Sequence, residues 1–128
     1  MCKRVYEEYD EEWTQIGTIT VVDSEINSVV MSGDGKRFVA GTMGDYFNGA
    51  AFIFELDGFD WVNVGRIDGN GIDVHYFSTF GVGLSYDGTR LIGGSALLTS
   101  VPGLTRTYEG QGSSEWSQIG KLKSSKER

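Results

Sequence analysis

Short apolar runs alternate with glycine-containing polar turns along this chain. Residues 29–31 and 38–40 are apolar and flank Asp34-Gly35, and residues 82–84 and 91–92 flank Asp87-Gly88 in the same way. An Asp-Gly pair between apolar runs is typical of a β-hairpin, because the turn needs a positive φ that glycine adopts without steric cost. Runs that are apolar on consecutive positions favour strands covered on both faces. The pattern predicts an all-β chain of short antiparallel strands.

A second motif occurs three times and ends in glycine each time. Its copies begin at Trp13, Trp61 and Trp116, and the glycine follows each tryptophan by four positions. An aromatic residue precedes each tryptophan by seven or eight positions, which predicts a hairpin whose second strand carries the tryptophan. Because the tryptophans recur with the repeat, we expect them to pack between neighbouring sheets. A carbohydrate-binding platform is the alternative.

The two motifs alternate with a period of about fifty residues. The tryptophans lie 48 and 55 residues apart, and the two aspartates lie 53 apart. Four short strands recurring at this period are the sequence signature of a β-propeller blade. The predicted units are an outer hairpin of an incomplete blade (1–20), a first complete blade (21–67), a second complete blade (68–122) and a disordered tail (123–128). The predicted fold is a partial or open propeller of about two and a half blades.

Residues of the second predicted blade resemble a known repeat. Phe80-Gly81, Asp87-Gly88, Gly93-Gly94, Tyr108-Glu109 and the Trp116 motif resemble the FG-GAP repeats of integrin-α-type β-propellers. They are also similar to kelch repeats, which share a double glycine followed by a tyrosine and a tryptophan. Both resemblances imply a propeller. The first copy departs from the FG-GAP pattern, since residues 41–43 are Gly-Thr-Met where those repeats have Gly-Ala-Pro.

Integrin-type blades often carry a calcium loop rich in aspartates between their first two strands. Here the corresponding turns, at residues 33–36 and 86–89, each offer one carboxylate. Ca²⁺ takes six to eight oxygen ligands. We therefore expect no calcium at these turns, and the sequence predicts no metal and no cofactor.

The long connections are the predicted ligand-binding region. In a four-stranded antiparallel blade the tight turns fall on one face and the longer connections on the other, and binding residues favour variable loops on a rigid scaffold. The candidate ligand face consists of polar and aromatic loop residues: Asp45, Tyr46, Phe47, Asn48, Asp68, Asn70, Asp73, His75 and Tyr76. Asp68, Asn70 and Asp73 offer oxygens to a hard cation, but turn formation in a loop between blades is the simpler interpretation.

The sequence predicts no catalytic residue. His75 is the only histidine, and general-base work needs both a hydrogen-bonded partner and an orienting group. No nucleophile elbow, phosphate loop, cysteine pair or His-Glu-x-x-His motif occurs. A glycosidase carboxylate pair stays open as an alternative, since acidic residues are plentiful.

Charge and composition limit the classes of molecule that the chain is expected to bind. Eleven basic residues against 18 acidic ones give a net charge of −7, which disfavours nucleic acid and anionic membrane surfaces. The single cysteine, Cys2, excludes an internal disulfide. Because the chain has neither a long apolar run nor the apolar core of a secretory signal, we expect a soluble chain and no membrane insertion. Its compartment is not predicted.

Two and a half blades would leave open sheet edges and apolar faces, which a soluble protein covers. The first hypothesis is therefore a non-enzymatic protein-interaction or scaffold module. It would be a fragment of a larger propeller, or would self-associate through its open edges. The second is a carbohydrate-binding or glycan-acting propeller that uses Tyr46, Phe47, His75 and Tyr76. The third is a partial gene product without an independent role.

Overall fold

The computed structural model describes residues 2–20, 25–42, 49–69, 81–95, 104–111 and 115–123. Within these ranges the chain forms ten strands and no helix. The strands are β1 (Cys2–Tyr9), β2 (Glu12–Thr20), β3 (Ile26–Met31), β4 (Arg37–Thr42), β5 (Ala50–Asp57), β6 (Asp60–Asp68), β7 (Val82–Leu84), β8 (Arg90–Ser95), β9 (Leu104–Gln111) and β10 (Glu115–Lys123). The predicted all-β class is confirmed.

The strands form one hairpin and two four-stranded sheets, all antiparallel. β1 and β2 make the N-terminal hairpin. β3 to β6 make the first sheet and β7 to β10 the second, each in sequence order. A half unit is thus followed by two whole units. The unit boundaries predicted after residues 20, 67 and 122 stay predictions.

The Asp-Gly pairs lie in the inner turns, which join β3 to β4 and β7 to β8. Gly35 and Gly88 both have a φ of +73°, as the sequence predicts. The loop is wider than a two-residue Asp-Gly turn, because Ser32 N–H donates to the carbonyl of Arg37 at 2.8 Å and Gly35 N–H donates to Ser32 at 2.9 Å. The Ser32 hydroxyl, 2.7 Å from Oδ1 of Asp34, holds this wider loop from inside.

The outer turns, which join β1 to β2 and β5 to β6, are tighter. In the N-terminal hairpin Tyr9 pairs with Glu12, so that Asp10 and Glu11 form a two-residue loop. Their φ values are 51° and 64°, the signs of a type I′ turn. Two non-glycine residues therefore occupy left-handed backbone at one turn.

Each outer strand pair carries the same irregularity. The registers shift at the fourth residue of the tryptophan motif, leaving one unpaired residue per copy: Ile16, Val64 and Ile119. The following glycine pairs with Val5, Ile53 or Thr107 in the three copies. A bulge of this kind increases the local twist of the strand pair. Because it recurs, the three copies can be compared position by position.

The first sheet lies between the N-terminal hairpin and the second sheet. On one side its residues share a core with the hairpin: Ile26, Phe38, Ala40 and Phe54 pack with Val5 and Ile19. On the other side they share a core with the second sheet: Val39, Ala51, Ile53 and Ile67 pack with Leu91 and Tyr108. Burial of apolar side chains in these two layers stabilises the packing of the described sheets.

Coverage on both faces is confirmed for β4 and wrong for β3. Phe38, Val39 and Ala40 are all buried, whereas Val29 and Met31 are about half exposed. The reason is that the N-terminal hairpin has two strands and covers the outer part of the first sheet. One face of β3 therefore borders an open groove of about 190 Å³.

Candidate interaction surfaces

The sequence-predicted ligand face falls largely outside the described residues. Asp45, Tyr46, Phe47, Asn48, Asn70, Asp73, His75 and Tyr76 all lie there, so this site stays a prediction. Asp68 is the exception, as the last residue of β6. Its carboxylate accepts from Arg66 of the same strand at 2.7 Å, an exposed ion pair.

The tryptophan motif builds the contacts between neighbouring sheets. A Cβ on Gly17 would lie 2.7 Å from Cδ1 of Trp61. A Cβ on Gly65 would lie 3.0 Å from Cδ1 of Trp116. Each indole therefore rests on the glycine that ends the preceding copy of the motif. The expected packing of tryptophans between sheets is confirmed for these two, and we call each contact a Trp–Gly junction.

The junctions rest on shape rather than on hydrogen bonds. The indole nitrogens of Trp61 and Trp116 are both buried and have no hydrogen-bond partner among the described residues. Each nitrogen lies over the glycine, 3.2 Å and 3.0 Å from the position of an added Cβ. A side chain on either glycine would therefore displace the ring, and this explains why glycine ends the motif.

The inner turns of the two sheets also touch each other. Asp34 N–H donates to the carbonyl of Tyr86 at 3.1 Å, and the Tyr86 ring occupies the space that a Cβ on Gly33 would need. The first sheet is thus bound to the second at its inner turn as well as at its outer strand.

Hydrogen bonds within each turn stabilise the ionised aspartates. The Thr89 hydroxyl (2.7 Å), the Thr89 backbone N–H (3.0 Å) and the Ser85 hydroxyl (2.9 Å) donate to Asp87. Together they lower the pKa of Asp87 to about 2. The Ser32 hydroxyl and the Lys36 backbone N–H lower the pKa of Asp34 in the same way. These carboxylate oxygens serve their own turns.

Arg37 links the two sheets. Its Nε and Nη2 donate to Oε2 of Glu55 on β5 at 3.2 and 2.9 Å. Its Nη1 donates to the carbonyl of Gly88 in the other inner turn at 2.8 Å. The guanidinium carbon also lies 5.8 Å from the centroid of the Trp116 ring, within cation–π range. A planar fork serves these partners at once, which an ammonium does not.

Arg90 is the equivalent of Arg37 in the second sheet, and it is far more exposed. Its Nε lies 3.6 Å from Glu109, the counterpart of Glu55. The side chain of Arg90 is 68% exposed, against 14% for Arg37. The difference arises because no further inner turn lies beside Arg90 in the described part of the chain.

The side of the second sheet that faces away from the first is the C-terminal face. The residues on this face are equivalent, in strand register, to the residues of the first sheet that lie on its side towards the second sheet. Gly83, Ile92, Thr107 and Gly120 correspond to Val30, Val39, Ile53 and Gly65. Ile92 is 45% exposed, whereas Val39 is 0% exposed. Ile92, Thr107 and Ile119 line a groove of about 460 Å³ there.

The side of the N-terminal hairpin that faces away from the first sheet is the N-terminal face. It carries Trp13, the counterpart of Trp61 and Trp116. Trp13 is 69% exposed, so the expectation that all three tryptophans pack between sheets is wrong for this copy. No described sheet lies beside it.

Two further observations concern cofactors and membranes. The described residues contain no group of three or more histidine, cysteine, aspartate or glutamate side chains placed to hold a metal ion. None of the described segments is a helix long and apolar enough to cross a membrane.

Comparison with known proteins shows the fold. No protein family and no curated protein matches the sequence. Among solved structures, the chain is similar to Saccharomyces cerevisiae Sqt1, with a TM-score of 0.65 and 11% sequence identity. The similarity covers 94% of this chain and 30% of Sqt1. Sqt1 has a β-propeller-type fold.

The predicted fold class is therefore confirmed: the chain is a partial propeller of about two and a half four-stranded blades. The FG-GAP or kelch lineage stays a prediction, because similarity at this identity shows the fold and not the repeat family.

Proposed function

We propose that this chain is a non-enzymatic protein-interaction or scaffold module that binds protein partners through its exposed end faces. One observation carries the proposal. Ile92 is 45% exposed at the position where Val39 of the first sheet is fully buried under a neighbouring sheet. The same apolar position is thus buried against a neighbouring sheet in the first sheet and exposed in the second. Such an exposed position supports a protein-binding surface on the second sheet.

Apolar exposure of this kind is expected at interaction sites. Exposed hydrophobic residues clustered on one surface and rimmed by polar ones mark protein interfaces on soluble proteins. Ile92 and Ile119 lie together on the C-terminal face, beside the charged Arg90. The partner is a protein of another kind or a further copy of this chain.

Site-specific photocrosslinking in cells that express the protein tests the proposal. The photoreactive amino acid benzoylphenylalanine replaces Ile92 on the C-terminal face in one variant. In the matched control it replaces Phe59, an exposed aromatic residue at the outer turn of the first sheet. We expect a discrete protein adduct from position 92 and none from position 59, and Ile119→Asp should abolish it.

Equal adducts from both positions, or none from position 92, would contradict the proposal. A glycan array is the second arm of the test. A sugar bound by the wild-type chain and lost in the double variant Tyr46→Ala, Tyr76→Ala would replace protein binding with the carbohydrate alternative.

A further inference from the structure

One tryptophan and one glycine of the recurring motif, Trp13 and Gly120, do not take part in either of the two Trp–Gly junctions. Trp61 rests on Gly17, and Trp116 rests on Gly65. Trp13 is 69% exposed, and none of the glycine contacts found in the described part of the chain involves its indole. Gly120 ends the last copy of the motif, and among the described residues no indole lies within 4 Å of a Cβ added there. An added Cβ there would meet the Thr107 hydroxyl within its own sheet.

Gly120 has the same backbone register as the receiving glycines. It pairs with Thr107 directly after the bulged Ile119, as Gly65 pairs with Ile53 after Val64. The neighbouring Ile119 and Leu122 are exposed. An indole arriving at Gly120 would therefore meet the backbone geometry that receives Trp116 at Gly65, and it would cover apolar side chains.

The charges near Trp13 and Gly120 are opposite in sign. Asp10, Glu11 and Glu12 directly precede Trp13, and all three are exposed. Arg90 lines the groove of the C-terminal face, at the position from which Arg37 approaches Trp116 in the first sheet, and its side chain is 68% exposed. Exposed pairs contribute little to affinity, but complementary charges favour the encounter of the two faces and disfavour like faces meeting.

We propose that a second copy of this chain docks its Trp13 onto Gly120 of the first, so that the junction found twice within the chain also forms between chains. The inference rests on the proposed interaction function and names the partner. The contact joins two different surfaces, so it is heterologous and closes only as a ring. Each copy supplies two four-stranded sheets and one two-stranded hairpin. Two copies would therefore place six units in the ring, two of them half blades, within the four to eight blades typical of closed propellers.

Sedimentation equilibrium of the purified full chain over a range of concentrations is the first test. We expect a reversible species of twice the 14.0 kDa chain mass. Trp13→Ala should weaken association at least about tenfold, as expected for a tryptophan at the centre of an interface. Phe59→Ala removes an even more exposed aromatic residue, in the turn between β5 and β6, and should leave association unchanged. A wild-type monomer at every concentration would overturn the proposal.

Mixing two variants tests the heterologous geometry. Trp13→Ala leaves the C-terminal face intact, and Ile119→Asp leaves the N-terminal face intact. Each variant alone should remain monomeric, and the mixture should form a one-to-one complex. Folding is checked within the experiment, since an unfolded variant would not complement the other, and Leu122→Asp provides a second block of the same face.

Dimerisation of either variant alone would mean a symmetric contact elsewhere and would overturn the proposal. A mixture that stays monomeric, with both variants folded by circular dichroism, would overturn it as well. The photocrosslinking test of the wider function has a separate readout. An adduct to a different protein in a chain that stays monomeric would support the interaction function and reject self-docking.

Discussion

At the scale of single residues, the inner turns show how few side chains set a loop. Serine, aspartate and glycine occupy the same three positions in both sheets. The hydroxyl contacts the carboxylate at 2.7 Å in one copy and 2.9 Å in the other. The backbone N–H two residues after each aspartate donates to the same oxygen at 3.0 Å. Short polar side chains thus replace strand hydrogen bonds where the chain reverses.

Acid should weaken the inner turn of the second sheet. Because the pKa of Asp87 is lowered from 3.8 to about 2, ionised Asp87 stabilises the folded chain above its unfolded pKa. That stabilisation is lost as the pH falls through about 2. We expect wild type to exceed Asp87→Asn in urea midpoint at about pH 5, with the gap closing towards about pH 2.

Thr89→Val is the control, because it removes the hydroxyl that contributes most to the lowered pKa and keeps the carboxylate. Its pH dependence should lie between those of wild type and Asp87→Asn. A gap between wild type and Asp87→Asn that does not change with pH would contradict this account.

Glycine at position 11 should stabilise the N-terminal hairpin. Glu11 has a φ of 64°, where a side chain costs roughly 1–2 kcal/mol and where a type I′ turn prefers glycine. We expect Glu11→Gly to raise the free energy of unfolding by about 1 kcal/mol, measured by urea denaturation. Glu11→Gln removes the charge and keeps the side chain, and it should give a smaller change. An equal gain from both variants would assign the effect to charge.

At the scale of elements, the tryptophan motif combines three structural roles in one strand. In the copy on β6, Trp61 contacts the preceding hairpin, Val64 is the bulge, and Gly65 receives Trp116. The inner strand adds a second link through Arg37. The first and second sheets are therefore joined at both their outer and inner parts.

Lysine in place of Arg37 should loosen the link between the sheets. The substitution keeps the charge but cannot serve Glu55, the Gly88 carbonyl and the Trp116 face together. We expect a loss of about 1–3 kcal/mol in the free energy of unfolding. Arg90→Lys makes the same change at the exposed equivalent position and should cost less than about 0.5 kcal/mol. Equal losses at both positions would argue against the role of Arg37 as a link.

The sequence predicted the strands and turns well, but it predicted less well which side chains on them are buried. Recurrence of the motif identified Trp61 and Trp116 as packing residues, because each contacts a glycine of another copy. Recurrence also predicted that Trp13 packs between sheets, and the apolar run at residues 29–31 predicted that Met31 is covered, but both are exposed. Burial depends on what lies beside a strand, which local pattern does not encode. The candidate ligand loops are untested apart from Asp68, whose carboxylate pairs with Arg66.

At the scale of the whole molecule, exposure increases from the middle of the stack of sheets towards both ends. Val39, Ala40, Ala51 and Ile53 in the first sheet are fully buried. Trp13 at one end and Ile119 at the other are largely exposed. Such a gradient follows from repeats that contact only their neighbours, since each inner unit has two partners and each terminal unit has one.

Native-state hydrogen exchange should reproduce this gradient. Local opening is easiest where few apolar contacts hold a strand, and β4 and β5 are paired on both edges and covered on both faces. At concentrations where the chain is monomeric, we expect their amides to exchange at least about tenfold more slowly than those of β2 and β10. Mass spectrometry of peptides after deuterium labelling measures the order. Raising the concentration into the range of association should slow exchange in β2 and β10 and leave β4 unchanged. Uniform protection across all ten strands would mean that the chain unfolds as one unit, and the terminal faces would then not be its weak points.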